Sequence, residues 1–341
     1  MLDMTRRHLR QLQQRMADID VDVALLTDED TIAYFAGFWG YLGVEYGRPT
    51  LLIVPRDDAP TVLTPEMEWR MVSAMTWIED VRAWEDSAEG GWAARLDELL
   101  ADLPAGARLG WEARGVPDAV AEVVASRFER QGIADIGPVV GGLRMIKSDE
   151  ELEIMRRCGE VAAAMMAAMQ HGLAPDVPEY ELALAAMQAG TRTAASFLTD
   201  RGIDAFISPV IHGLPILQSG PDTAMVHRRA SVRTLQHGDP VYLCCCNLVR
   251  FRQYHLGFDR QFFLGEVSDE MAHVHGITVA AQQEALRTIY PGVPAEDVHF
   301  AAEAVYREAG FPAGYRTGHA IGMSALEAPE LVEAAVDINP H

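Results

Sequence analysis

Gly238-Asp239-Pro240-Val241-Tyr242-Leu243-Cys244-Cys245-Cys246, running on to Val249, and Gln253-Tyr254-His255-Leu256-Gly257-Phe258-Asp259-Arg260-Gln261-Phe262-Phe263-Leu264-Gly265 decide how this chain is read. Rich in β-formers, they predict strands over Pro240 to Val249 and Gln253 to Gly265. A further strand is expected over Ala205 to Ile211. Three of the four cysteines stand side by side here, and the fourth is Cys158. That distribution does not resemble a disulfide framework.

Upstream of this β-rich stretch, Ser148-Asp149-Glu150-Glu151 opens a long helix, with Ser148 as its cap and Glu151 three residues on closing a capping box. Leu152, Met155, Cys158, Ala162, Met165 and Met169 keep to one face, so the methionines read as core packing rather than a cofactor surface. A faint repeat flanks the strands. Val177-Pro178 with Leu182 and Ala185-Ala186 recurs as Val293-Pro294 with Val298 and Ala301-Ala302. Each copy follows a helix, and each sets proline where a first helical turn tolerates it, which suggests two helix pairs in a pseudo-symmetric domain.

The first part of the chain mixes helix and strand signals. Leu9, Leu12 and Met16 recur at helical spacing before the apolar run Val21 to Leu26. Strands are expected over Pro49 to Pro55, Thr61 to Thr64 and Ile78 to Trp84, and helices over Ala93 to Leu103 and Pro117 to Arg130. This α/β domain covers 1–138, and the second domain covers 146–341. Two domains suit 341 residues at roughly 150 per domain.

The formal charge of −22 opposes binding to nucleic acid, which needs clustered cations. Lys147 is the only lysine; every other cation is arginine. Either a salt-rich cytoplasm or a genome favouring Arg and Ala codons accounts for that composition. No run approaches the roughly 18 apolar residues of a membrane span, and Met1 to Met16 carries no signal-type apolar stretch. The expectation is a cytoplasmic protein without a membrane partner.

Four segments then fall in an order that resembles the creatinase, aminopeptidase P and prolidase family. Arg144-Met145-Ile146-Lys147-Ser148, with Glu151 and Ile154 to Arg156, resembles the opening of that family's catalytic domain. Ser219-Gly220 to His227 is similar to its segment bearing an active-site histidine. Gly238-Asp239 through Gly265 resembles its central hairpin, and Gly318-His319 to Gly322, continuing through Glu327-Ala328-Pro329 and Leu331-Val332-Glu333, its glycine-histidine motif. The resemblance implies an α+β chain, with an α/β creatinase/prolidase-type domain followed by a pita-bread domain, a curved antiparallel sheet flanked by two helix pairs.

Departures from the family pattern carry as much information. Metal-dependent members hold two divalent ions with two hairpin aspartates, a histidine and two later glutamates, and these ions activate water. Here the aspartate positions are Cys244 and Gly257, and His319 keeps the histidine position. Leu326 stands where many peptidases have a further histidine. Both glutamates, and the strands that close the sheet, would lie beyond His341, so the C-terminus reads as truncated, in a fragment or in a shortened homologue. One histidine and one cysteine are too few ligands for a dinuclear site, and neither metal nor other cofactor is expected. Cys244, Cys246 and His319 could hold a single zinc, but the plainer reading of the cysteine trio as strand core is preferred.

Creatinases and ectoine hydrolases resemble this chain in lacking the hairpin aspartates. The expectation is therefore metal-independent hydrolysis of a carbon-nitrogen bond in a small amide-, amidine- or imino-acid-like substrate. His227 is the candidate acid/base. Asp259 would orient a substrate cation or His227, or pair with Arg260 across the sheet. Cys244 is a candidate nucleophile, with His255 or His319 as the partner of its thiolate, though an inert core thiol fits too. Arg260 and His255 are further candidate substrate-binding residues. Arg48 matches in position a creatinase arginine that reaches into the partner subunit to bind a carboxylate, which implies a homodimer. His273 and His275 are given no role. Two alternatives stand beside this reading: an Xaa-Pro metallopeptidase, and a shortened homologue that binds without catalysis.

Overall fold

A computed structural model describes residues 1–40, 47–87, 89–211, 216–225, 227–245, 249–312, 314 and 316–331. The chain divides into two compact units, Met1–Ile146 with Arg201–Phe206, and Lys147–Asp200 with Ile207–His341.

The first unit opens with α1 (Leu2–Asp18), β1 (Val23–Leu26), α2 (Glu29–Ala36), β2 (Leu51–Pro55), β3 (Thr61–Pro65) and α3 (Glu66–Met75). It continues through β4 (Asp80–Trp84), α4 (Trp92–Ala101), β5 (Leu109–Trp111), α5 (Asp118–Ala125), β6 (Ile133–Asp135) and α6 (Gly137–Met145). Six strands form one mixed sheet in the order β4-β3-β2-β1-β5-β6. Its strands read as apolar runs because both faces are covered. Val23, Leu25, Leu51, Ile53 and Leu63 pack with Leu96, Leu100, Val120 and Val124 of α4 and α5, while the alternate residues Leu26, Leu52, Val54 and Val62 are equally buried. Helices α2, α3 and α6 were not anticipated. Asp28 caps α2 by accepting from Thr31 N–H at 2.8 Å, and Gly37 ends it at φ +72°.

The second unit contains α7 (Asp149–Gly172), α8 (Glu179–Ser196), β7 (Ile216–Ser219), β8 (Pro240–Cys244), β9 (Val249–Phe251) and β10 (Tyr254–Leu256). It ends with β11 (Asp259–Phe263), α9 (Asp269–Thr288), α10 (Ala295–Glu308), β12 (Gly318–Ala320) and β13 (Glu327–Leu331). The capping box forms as expected: Ser148 Oγ accepts from Glu151 N–H, and the Glu151 carboxylate accepts from Ser148 N–H. Cys158, Ala162, Met165 and Met169 are buried, but Leu152 is exposed, and Glu151 and Ile154 occupy the core-facing positions at that end. Helices α7 and α8 approach closely at Gly190, where a Cβ would lie 2.7 Å from Met165 Cγ. The other pair, α9 and α10, joins through Ala281, Ala285, Val298 and Ala302. Pro178 and Pro294 sit at the N-caps of α8 and α10 rather than inside their first turns.

The strand expectations need correction in three places. No strand forms over Ala205 to Ile211; Gly202–Phe206 is a 3-10 turn grouped with the first unit. Pro209 has no N–H to give a ladder, and the strand that forms is β7, just beyond. The long hairpin arms are also interrupted, β8 stopping at Cys244 and the second arm breaking at Gly257-Phe258 into β10 and β11. The described antiparallel strands thus fall into three ladders, β11-β8-β7, β10-β9 and β12-β13. Two backbone bonds extend or link them: Cys245 N–H donates to Phe258 O at 3.0 Å, and His255 N–H to Gly322 O at 2.7 Å.

Candidate active site

The β11-β8-β7 ladder sets the geometry. Its register pairs Asp259 with Cys244 and Cys244 with Ile216, and two residues along pairs Gln261 with Tyr242 and Tyr242 with Gln218. Residues directly opposite share a face, so these six side chains form one surface. Leu217, Val241 and Leu243 form the other, and all three are fully buried. One face is therefore core and the other is largely polar.

On the polar face, Asp259 lies opposite Cys244, a spacing of about 5 Å between Cβ atoms in such a pair. The Tyr242 hydroxyl donates to Asp259 Oδ2 at 2.5 Å. Cys244 is buried at 3% exposure. Its neighbour Cys245 faces the core, where burial pushes its thiol up to about 12, with a smaller contribution from Cys244, so it is an inert thiol at neutral pH. Arg260 is next to Asp259 in sequence and so projects from the opposite face, where its guanidinium lies 4.7 Å from the centre of the Phe258 ring. Its Nη1 donates to the Asp259 carbonyl oxygen, not to the carboxylate. The alternative of an Asp259–Arg260 side-chain pair does not form, because a strand turns consecutive side chains apart.

His227 follows β7 in an exposed turn that folds back along this strand. Arg228 N–H donates to Met225 O at 3.1 Å, Leu217 N–H to Arg228 O at 3.2 Å, and Arg229 bridges to Ile216. The turn therefore adds a row beside β7, on the side away from β8. With strands about 4.8 Å apart, the backbone of this turn lies roughly 10 Å from Cys244 and roughly 15 Å from Asp259 across the ladder.

A buried ionic network fixes that turn. Glu179, at the start of α8, is fully buried and accepts from Ser219 Oγ at 2.6 Å, Ser231 Oγ at 2.7 Å and Arg228 Nη1 at 2.9 Å. Arg228 also meets Asp222 at 3.1 Å. Burial alone would raise the Glu179 carboxyl, but the hydrogen bonds from Ser219, Ser231 and Arg228 prevail and hold it below the usual carboxylate range. Beside it, Arg233 pairs with Asp239 at 2.7 Å. Gly220 sits at φ +59° against that pair, where any Cβ would overlap the Arg233 guanidinium. This is the physical requirement behind Ser219-Gly220.

The remaining candidates lie elsewhere. His255 is buried on β10, in the ladder with β9. His319 is exposed on β12, its Nδ1 2.9 Å from Ala320 O. Arg48, in the first unit, pairs with Asp86 of its own chain at 2.6 Å. Cys246 lies outside the described residues, as do Val332 and Glu333 of the glycine-histidine motif. A groove of about 380 Å³ between α9 and α10, lined by Ala281, Ala285, His299, Tyr306 and Thr317, includes none of the sequence-derived candidates. Tyr242, Gln218 and Glu179 were missed by sequence reasoning. Alternation from Cys244 would have placed Tyr242 on its face, whereas Gln218 and Glu179 carry no local signal.

The hairpin does not fit a dinuclear metal centre. Cys244 offers a buried thiol where a carboxylate is needed, and Gly257 offers no donor. Among the described residues, no group of three or more His, Cys, Asp or Glu side chains is arranged to hold a metal ion. No helix among them is long and apolar enough to cross a membrane.

An α/β domain leading into antiparallel ladders flanked by two helix pairs is the architecture of creatinases and prolidases. Residues 153–339 match metallopeptidase family M24 and residues 8–146 the creatinase/prolidase N-terminal domain, and the chain belongs to family M24. It is 28% identical to the agropine synthesis cyclase of Rhizobium rhizogenes, over 95% of this chain and 83% of that protein. It is 27% identical to the creatinase of Bacillus sp. strain B-0618, over 94% and 75%. A prolidase from Thermococcus sibiricus has the same fold, with a TM-score of 0.80 at 23% identity, covering 97% of this chain and 85% of that one.

Proposed function

We propose that this M24-family chain hydrolyses a carbon-nitrogen bond in a small amide-, amidine- or imino-acid-like compound without a divalent metal. The observation that carries the reading is the pairing of Cys244 with Asp259 on the ladder where metal-dependent relatives place a carboxylate, together with Gly257 at the second such position. The likeness to a creatinase over nearly the whole chain supports the substrate class.

On this reading His227 takes a proton from the attacking water as the new carbon-oxygen bond forms. It returns that proton to the departing nitrogen as the carbon-nitrogen bond breaks. Asp259, oriented by Tyr242, holds the cationic end of the substrate; a guanidinium or amidinium offers paired N–H donors to a carboxylate. Buried Cys244 gives the floor of the site its shape. The substrate itself, a dimeric assembly, and a role for Arg48 in a partner subunit's site are parts of the proposal. That last role requires the Arg48–Asp86 pair to open.

The family's description as metallopeptidases favours a second reading, cleavage of Xaa-Pro dipeptides. One experiment separates the two. Purified chain is incubated with creatine, ectoine and Xaa-Pro dipeptides, with and without EDTA, and its metal content is measured. Turnover of a small carbon-nitrogen substrate that survives EDTA and is lost in His227→Ala is the expected result. Two manganese, cobalt or zinc ions per chain with EDTA-sensitive dipeptide cleavage would establish the second reading instead, and no turnover of any substrate would point to a binding protein.

A further inference from the structure

We infer that Gln218 is a positioning residue that sets the orientation of His227; the inference rests on the reading of His227 as the proton-transfer group. His227 has φ +66° and is the third residue of a turn closed by Arg228 N–H on Met225 O. That backbone region crowds the Cβ of any L-residue, and turns of this kind place glycine or asparagine there. A histidine stays in such a conformation only where its surroundings over-determine it.

Gln218 supplies that constraint. It projects from β7 onto the face of Cys244 and Asp259, is 1% exposed, and donates from Nε2 to Met225 O at 2.8 Å and to Arg228 O at 3.4 Å. These carbonyls bracket His227, and the two amide protons of one glutamine suffice for both. Each carbonyl already accepts a backbone hydrogen bond, Met225 O from Arg228 N–H and Arg228 O from Leu217 N–H. The amide is therefore not rescuing an unsatisfied oxygen. Its bonds are second bonds, and their effect is to fix the angle of the turn. From below, Arg228 is tied to Glu179 and Asp222. His227 is thus held from the cleft face by an amide and from the core by an ion pair.

The test uses the full chain labelled on histidine and glutamine for NMR, with His227 assigned from the signal lost in His227→Gln. In the wild type, a nuclear Overhauser contact between the Gln218 amide protons and the His227 backbone is expected. In Gln218→Met, which keeps the volume and removes both donors, the His227 ring resonances and their titration midpoint shift. Gln218→Glu, which keeps the length and lacks the N–H pair, shifts them in the same way. Gln261→Met, which removes an amide from the same row of the same face, leaves them in place. With a turned-over substrate, kcat in Gln218→Met falls at least about tenfold while KM stays within about twofold. Wild-type His227 resonances in Gln218→Met, or no Overhauser contact in the wild type, would overturn the inference and leave the catalytic reading standing. Shifted resonances in a chain with no hydrolytic turnover would instead uphold the clamp and remove the proposed function.

Discussion

A histidine at φ +66° costs stability that glycine would not, on the order of 1 kcal/mol for a side chain in this region. His227→Gly should therefore raise the unfolding free energy by on the order of that amount while abolishing hydrolysis, whereas His227→Ala abolishes hydrolysis with no gain. If His227→Gly destabilised the chain in urea titrations, the turn would not be the source of the strain. Glu112, in the first unit, is a second residue working against its surroundings. Burial, and then the negative charge of Asp28, push its carboxyl up to about 7, against the opposing hydrogen bond from Thr31 and the charge of Arg144. Its Oε2 is buried without a hydrogen-bond partner among the described residues. A carboxyl raised in the folded state favours folding fully below its ordinary value of 4.5, and that contribution is lost as pH rises to about 7. Wild-type unfolding free energy should fall across that window by on the order of 3 kcal/mol relative to Glu112→Gln, and the variant should be the more stable chain at pH 8. Parallel stability profiles for the two would show that Glu112 ionises normally.

At the scale of elements, what holds the turn of His227 is the junction of α8 with β7. Arg228→Met keeps much of the side chain's length but leaves Glu179 buried without its counter-charge, a change that costs about 3 kcal/mol or more. Thermal unfolding checks it: a loss below about 1 kcal/mol would mean that Ser219 and Ser231 alone satisfy the carboxylate. This junction shows where sequence reading succeeds and where it stops. Helix α7 was legible because Ser148 and Glu151 satisfy each other's backbone within one turn, and the hairpin was legible as β because its own residues favour strands. Strand β7 has only four residues, too few for a period, and the preceding run with Pro209 carried a stronger but misleading apolar signal. Of the candidate site, His227, Cys244 and Asp259 are nominated by motif order. Gln218 and Glu179 are not, since their roles depend on a turn and a helix brought together only by folding. The alternative that Asp259 pairs with Arg260 fails for a simpler reason, that adjacent strand residues face opposite ways.

For the whole molecule, the governing quantity is a formal charge of −22 carried by fifty carboxylates against 28 cations. Many of the arginines are already committed to nearby carboxylates, as in Arg56 with Asp22, Arg127 with Asp97 and Arg233 with Asp239. Lys147, the only lysine, is half-buried and pairs with Glu327 at 2.9 Å. Local pairing therefore leaves the excess negative charge where it was, and the surface repels itself over a Debye length of about 10 Å at 0.1 M salt, shrinking to about 3 Å at 1 M. Screening should relieve that repulsion more than it weakens the exposed pairs, each worth about 1 kcal/mol or less. The melting temperature should thus rise by roughly 1–3 degrees between about 0.05 and 1 M sodium chloride, the shift expected from on the order of 1–2 kcal/mol in a chain of this size. Sucrose at matched osmolality separates charge screening from general exclusion of solute: an equal rise in sucrose, or a fall in salt, would show that self-repulsion is not what limits the stability of this acidic chain.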